Sequence, residues 1–378
     1  MDRITWFGKT AKGALAALVV SALLFLGIAY FSVKDSPDAV LTRVNIVIPP
    51  YQDSLVMMFG KEKGWYEEEG LDVNFIVAGL EEVQEVLASG AADIAWSTMS
   101  NTMVASVRND RLVYYYPLNT FDNGFALIAR PNGPIKPLQY FLEDLASRED
   151  AVKAAAAQLK GKVVITTSYT DMEQGVAGAA QQGGLEFAND ITIVNLPPNE
   201  GLAAFLSGEG DAYLGGIPQR TRAVDEGMIE VLSGLDLGSA PTNGLVTTKE
   251  YYTAHSDVLM RVLRVWFRTV THTNEQIDDT GAFVIKVLNK NSAANFDLSD
   301  FRAAWNGLEH FVGSPAYAQD NIFDPLGANY WRKRWNDNNY YFYDIAKKIP
   351  EPVNPEGIFV AEEVQKQLIL QSREQRSE

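Results

Sequence analysis

The 378-residue chain contains no cysteine. That excludes disulfides, lipid attachment through an N-terminal cysteine, and thiolate-bound metal or iron–sulfur centres. Histidine is nearly as scarce, with His255, His272 and His310 scattered and without a partner at metal-ligand spacing, so no metal is implied. Positive charge is short as well: 32 Lys and Arg stand against 48 Asp and Glu, a formal net charge of −16. The one basic cluster of note, Arg332-Lys333-Arg334, reads as a solvated helix face, and nothing offsets repulsion from phosphates, so a nucleic-acid partner is excluded. Also missing are loops of the GxGxxG or GxxxxGK type and any paired nucleophile and base. No catalytic residue and no cofactor are therefore assigned.

One long hydrophobic run is present. Residues 13–33 (GALAALVVSALLFLGIAYFSV) carry no charge, and about 21 residues at ~1.5 Å each span the ~30 Å of a bilayer core. Arg3, Lys9 and Lys12 precede the run, which places the N-terminus in the cytoplasm and everything after Val33 outside. Gly27-Ile28-Ala29 is a passable cleavage site, but Tyr30 and Phe31 continue the apolar run past it, which favours an uncleaved anchor over a signal peptide.

A weak internal repeat organises the rest. LASGAADIAW at 87–96 matches FLSGEGDAYL at 205–214, and the offset that carries Asp93 onto Asp211, 211 − 93 = 118, also carries VNIVI (44–48) onto KVVIT (162–166) and DVNFI (72–76) onto DITIV (190–194). Short runs rich in β-branched residues, separated by helix-length segments, describe a βαβ unit with buried parallel strands. Each copy ends a helix at a Ser-Gly pair, Ser89-Gly90 or Ser207-Gly208, where glycine relieves a left-handed cap. These turns show architecture, not chemistry. Two similar α/β lobes follow, each a mostly parallel sheet flanked by helices, and 378 residues suffice for two such cores.

The expected organisation is an N-terminal signal or anchor segment and linker over 1–37, a first lobe over 41–130, a crossing with an inserted helix over 131–160, and a second lobe over 161–237. Residues 238–378 return to the first lobe and continue as C-terminal helices. Crossings near 130–136 and 237–244 would make a hinge. Val258, Leu259, Val262, Leu263, Val265, Trp266 and Val270 recur at helical spacing, as a core-facing stripe does. The aromatic-rich run from Tyr330 to Tyr343 packs against the lobes or forms a partner surface.

With those features placed, GKEKGWYEEEGLDVNFIVAG (60–79) resembles the signature of periplasmic solute-binding proteins of ABC importers in the sulfonate, taurine, nitrate and thiamine-precursor group. LASGAADIA (87–95), LKGKVVITT (159–167), LSGEGDAY (206–213) and TTKEYYTAHSDVLMRVL (247–263) follow in the order and at about the spacing of that family, so the resemblance covers roughly 44–310. It implies a type II periplasmic-binding-protein fold, two α/β lobes joined by two crossings with ligand between them, and a monomer with an ABC permease and ATPase as partners. The chain departs from the family pattern in a long insert at 134–158 and in a hydrophobic run where a lipid-bearing cysteine is common.

In such sheets ligands lie off the carboxyl ends of the strands, near helix N-termini. The corresponding loops supply Tyr51, Gln52, Trp96, Ser97, Thr98 and Asn119 from the first lobe, and Ser168, Tyr169, Thr170, Gly216, Gln219 and Arg220 from the second. Tyr51 and Trp96 facing Tyr169 would clamp a flat ligand. Ser97, Thr98, Ser168 and Thr170 could donate to an oxyanion or simply cap helices, and Thr170 with Glu173 has the spacing of a capping box. Arg220 either pairs with an anionic ligand group or begins a solvated helix with Arg222. The expected function is extracytoplasmic solute binding, of a sulfonate-like anion or a heteroaromatic such as a thiamine-pyrimidine precursor. The alternatives are a membrane-tethered sensory module and an enzyme on the same fold.

Overall fold

The computed structural model describes residues 40–377 apart from 81, 239, 293 and 294. The segment 13–33 lies outside the described residues; among those described, no helix is long and apolar enough to cross a membrane. Arg43–Glu378 clusters as one compact unit.

The first four strands are β1 (Thr42–Ile48), β2 (Leu71–Val77), β3 (Ile94–Thr98) and β4 (Leu112–Thr120). The chain then makes β5 (Ala126–Ala129), β6 (Lys162–Thr166), β7 (Ile191–Asn195), β8 (Ala212–Gly215) and β9 (Ile229–Ser233), and finally β10 (Thr242–Thr248) and the short β11 (His310–Phe311). They form two sheets, ordered β11-β4-β10-β3-β1-β2 and β7-β6-β8-β5-β9. Helices flank both.

The 118-residue register has a hydrogen-bonded counterpart in each lobe. Asp93 Oδ2 accepts from the backbone N–H of Asn45 at 2.8 Å, and Asp211 Oδ2 accepts from that of Val163 at 2.9 Å. The backbone N–H of each aspartate returns a bond to the same strand residue, at 2.9 and 2.7 Å. Strand pairing repeats as well: Ile46 lies opposite Ile94 and Val47 opposite Ala95, while Val164 lies opposite Ala212 and Ile165 opposite Tyr213. Gly90 and Gly208 take φ of 77° and 111°, the left-handed side that a helix-ending glycine tolerates.

Two expectations are corrected. The sheets are mixed rather than mostly parallel: β1–β3, β6–β7 and β6–β8 pair in parallel, but β10 is antiparallel to β3 and β4, and β5 is antiparallel to β8 and β9. The cause is the route of the chain. The βαβ strands end at the inter-lobe cleft, whereas β5 and β10 are delivered by the crossings and start there, so each enters its sheet reversed. The first lobe also ends earlier than residue 130. GFALIAR supplies β5 of the second sheet, so the crossing is 121–125, and the insert helices Leu138–Leu142 and Arg148–Ala157 pack on the second lobe against β9 and the helix Asp171–Gln182. The return runs through 238–241 into β10.

The stripe of helix Ser256–Glu275 is buried at all seven expected positions, and Trp266 at its centre donates from Nε1 to Val312 O at 2.9 Å. The aromatic run packs inward: Trp331 stacks on Phe359 at 3.9 Å, and Tyr341 meets Phe187 of the second lobe edge-on at 6.3 Å. Lys348 then reaches Glu173 at 3.4 Å, with its ammonium 3.7 Å from the Tyr169 ring centre. The C-terminal segment therefore straps the first lobe to the second.

Candidate functional site

Strand ends from both lobes converge on a small, partly open cavity. From the first lobe, the loop after β1 brings Tyr51, Gln52 and Asp53, and the end of β3 brings Trp96, Ser97 and Thr98. Thr98 also caps the helix Met99–Ser106, accepting from Asn101 N–H at 2.9 Å. From the second lobe, Thr170 caps helix Asp171–Gln182, and the loop after β8 brings Gly216 and Gln219. The crossings roof the cleft with Phe121 and Phe125 on one side and Pro241 and Asn243 on the other.

Eight of the twelve expected residues thus line the cavity: Tyr51, Gln52, Trp96, Ser97, Thr98, Thr170, Gly216 and Gln219. The other four are placed elsewhere. Tyr169 has a left-handed φ of 63° and is 48% exposed under Lys348, so it does not face Trp96 across the cleft. Ser168 donates to Glu173 Oε1 at 2.9 Å on the same outer side. Glu173 accepts from Tyr169 N–H at 3.0 Å rather than from Thr170, so the expected capping box is displaced by one residue. Arg220 makes a two-pronged pair with Glu230, at 2.6 and 2.8 Å, and donates to Asn123 O at 2.6 Å; its cation is spent on fixing the crossing. Asn119 is fully buried behind the cavity wall.

Aromatic walls remain, but with a different membership. Phe121 and Phe125 meet edge-on at 4.9 Å and take the place expected for Tyr169, while Trp96 packs edge-on against Trp266 at 5.6 Å and shows its other surface to the cavity. Sequence reasoning missed both phenylalanines because the run they open was assigned to the wrong sheet.

It also missed the acids. Asp53 lines the cavity, and behind it Glu309 sits just before β11, whose Phe311 pairs with Asn119 of β4. Gln52 Nε2 donates to Glu309 Oε1 at 2.6 Å. Asn119 Nδ2 donates to Glu309 Oε2 at 2.8 Å and to Asp53 Oδ2 at 3.3 Å, and Asn243 Nδ2 donates to Asp53 Oδ2 at 2.9 Å. Burial raises the Asp53 carboxyl to about 6, against lowering hydrogen bonds from Ser54 N–H and Asn119. Burial first, and then the charge of Asp53, push Glu309 well above the usual carboxylate range.

A third buried acid, Asp171, begins the helix of the second lobe and accepts from Ser100 Oγ of the first. Burial raises its carboxyl too. Among the described residues, no Lys, Arg or His lines the cavity. The arrangement can stack a flat group and accept hydrogen bonds from it.

The family model for the NMT1-like family matches residues 41–287. No curated protein matches the chain. Among solved structures it resembles the periplasmic aliphatic sulphonate binding protein SsuA from Escherichia coli, at 16% identity and TM-score 0.63, covering 86% of this chain and 92% of that one. It also resembles the alkanesulfonate-binding protein SsuA from Xanthomonas axonopodis pv. citri bound to MOPS, at 16% identity and TM-score 0.63, over 82% and 96%. A third likeness is to the periplasmic nitrate-binding protein NrtA from Synechocystis PCC 6803, at 16% identity and TM-score 0.56, over 83% and 92%. These likenesses establish the periplasmic-binding-protein fold, and the match over 41–287 carries more than half of the sequence: the chain belongs to the NMT1-like family.

Proposed function

We propose that the protein is a non-enzymatic, extracytoplasmic solute-binding component of an ABC-type importer, which closes its lobes on a small organic molecule and presents it to a permease. The observation that carries this is the cavity itself. It lies at the carboxyl ends of strands from both lobes, is roofed by the two crossings, and combines aromatic walls with a few buried polar groups, the usual make-up of a small-molecule site. The solved relatives are named as periplasmic sulfonate- and nitrate-binding proteins, which supports the same role and compartment here. Tyr51, Gln52, Trp96, Ser97, Thr98, Thr170, Gly216 and Gln219 form the binding wall in this reading. The hinge is 121–125 with 238–241.

The run 13–33 tethers the chain to the membrane in this reading, and the same run favours a second one, a tethered module that reports its ligand to a signalling partner. A thermal-shift screen of small organic solutes, followed by small-angle scattering, tests solute binding. A true ligand at about 100 times its Kd adds roughly 2.7 kcal/mol of stability and compacts the protein. Stabilisation by no solute, or binding without compaction, would end the lobe-closure reading.

A further inference from the structure

The cavity has the wrong polarity for the anions that its solved relatives are named for. Two acids line it, Asp53 from the first lobe and Asp171 from the second. Beside them, Gln52 and Gln219 are only 2% and 3% exposed, and the carbonyl oxygen of each is unpartnered. Gln52 Nε2 donates to Glu309 Oε1 at 2.6 Å and Gln219 Nε2 to Asn199 Oδ1 at 2.9 Å, which leaves each carbonyl oxygen without a protein donor. Buried acceptors without donors are costly, and an N–H-bearing ligand relieves that cost.

The places where an anion would sit are already occupied. Arg220 is committed to Glu230, and Arg334 lines a separate, smaller pocket where it donates to Asn329 Oδ1 at 2.9 Å. The N-terminus of helix Met99–Ser106, a ready site for a negative group, already faces a carboxylate from within the chain, since Ser100 there donates to Asp171.

We propose that the solute held between the lobes is a small organic cation or a flat nitrogen base carrying several N–H donors. Its N–H groups meet Asp53, Asp171 and the open amide oxygens of Gln52 and Gln219, and its ring lies against Trp96 and Phe121. This rests on the solute-binding reading and narrows it to one chemical class.

Calorimetric titration of the full-length protein with benzamidine and 4-aminopyridine, and in parallel with methanesulfonate and nitrate, tests it. Both nitrogen bases should bind saturably and both anions should not. Asp53→Asn and Asp171→Asn, which keep shape and remove charge, should each weaken benzamidine by about tenfold or more, the usual weight of one charge-assisted hydrogen bond. Tighter binding of methanesulfonate or nitrate, no binding of either base, or unchanged affinity in both variants would overturn the proposal. Anion binding with compaction would leave the solute-binding reading standing, whereas the absence of compaction with every solute would remove that reading too.

Discussion

Glu309→Gln tests the buried acid pair directly. Asp53 and Glu309 share one amide, Asn119, and their side-chain bonds come only from amides and one backbone N–H. Burial holds Asp53 at about 6 instead of 3.8, and Glu309 well above 4.5. Both folded values exceed the unfolded ones, so the folded chain binds more protons and this contribution to stability is fully present only at low pH. The share of Asp53 is lost as pH rises from about 4 to about 6, and a carboxyl raised by that amount gives up about 3 kcal/mol. Above that point only Glu309 carries the extra proton, and its share keeps falling by up to about 1.4 kcal/mol per pH unit. Glutamine has the shape of the protonated acid. Its oxygen still accepts from Gln52, and its amide can donate to Asn119 Oδ1, which is unpartnered in the parent. Rearranging that bond costs about 1 kcal/mol, and above about pH 6 the variant should gain on the parent as pH rises, by up to about 1.4 kcal/mol per pH unit while Glu309 holds its extra proton. Urea unfolding followed by tryptophan fluorescence across that range reads the difference. A gap that does not change with pH, or a variant less stable than the parent at the alkaline end, would refute the reasoning.

Three further outcomes follow from single contacts. Asp93→Ala and Asp211→Ala remove the same carboxylate bond from equivalent strands, so each should lower unfolding free energy by a similar 1–3 kcal/mol, about the cost of orphaning a buried donor; urea midpoints that differ widely would break the equivalence of the two lobes. Lys348→Ala leaves Glu173, 4% exposed, without its cation, and should cost about 3 kcal/mol, the lower end for a buried pair because Ser168 and Tyr169 still donate to the acid; a thermal midpoint unchanged from the parent would show the strap to be ornamental. Trp96→Ala should reduce solute affinity more than Ser97→Ala, since a stacked ring loses its whole contact area while one neutral hydrogen bond is worth about 0.5–1.5 kcal/mol; titrations giving the reverse order would assign recognition to the hydroxyls.

How much of this was legible depends on whether the determinants are local. The lobe repeat was readable because an aspartate 48 residues after a strand amide makes the same bond in both copies, and that spacing survives in sequence. The first crossing was not readable: an apolar run such as GFALIAR has the same composition whichever sheet receives it, and only the pairing of Leu127 with Leu214 and Leu232 decides. Tyr169 lay on the right loop, but its left-handed backbone turns the ring outward, a conformation that no pattern of neighbours signals for a tyrosine. The acid cluster was hidden for a third reason. Gln52 and Glu309 are 257 residues apart, and composition offered no hint that two acids would be buried on one asparagine.

The proposed donor-bearing solute has a counterpart in the contacts at one helix N-terminus. Helix N-termini at strand ends favour negative groups by default, and at Met99–Ser106 this chain meets that preference internally, with a carboxylate supplied by the opposite lobe. The Ser100–Asp171 bond links the second lobe to the first across the cleft. Asp171 faces Ser100 on one side and the cavity on the other. A donor-bearing solute bound there would neutralise a carboxyl that burial otherwise pushes toward protonation, and it would do so only in the conformation that brings Asp171 to Ser100.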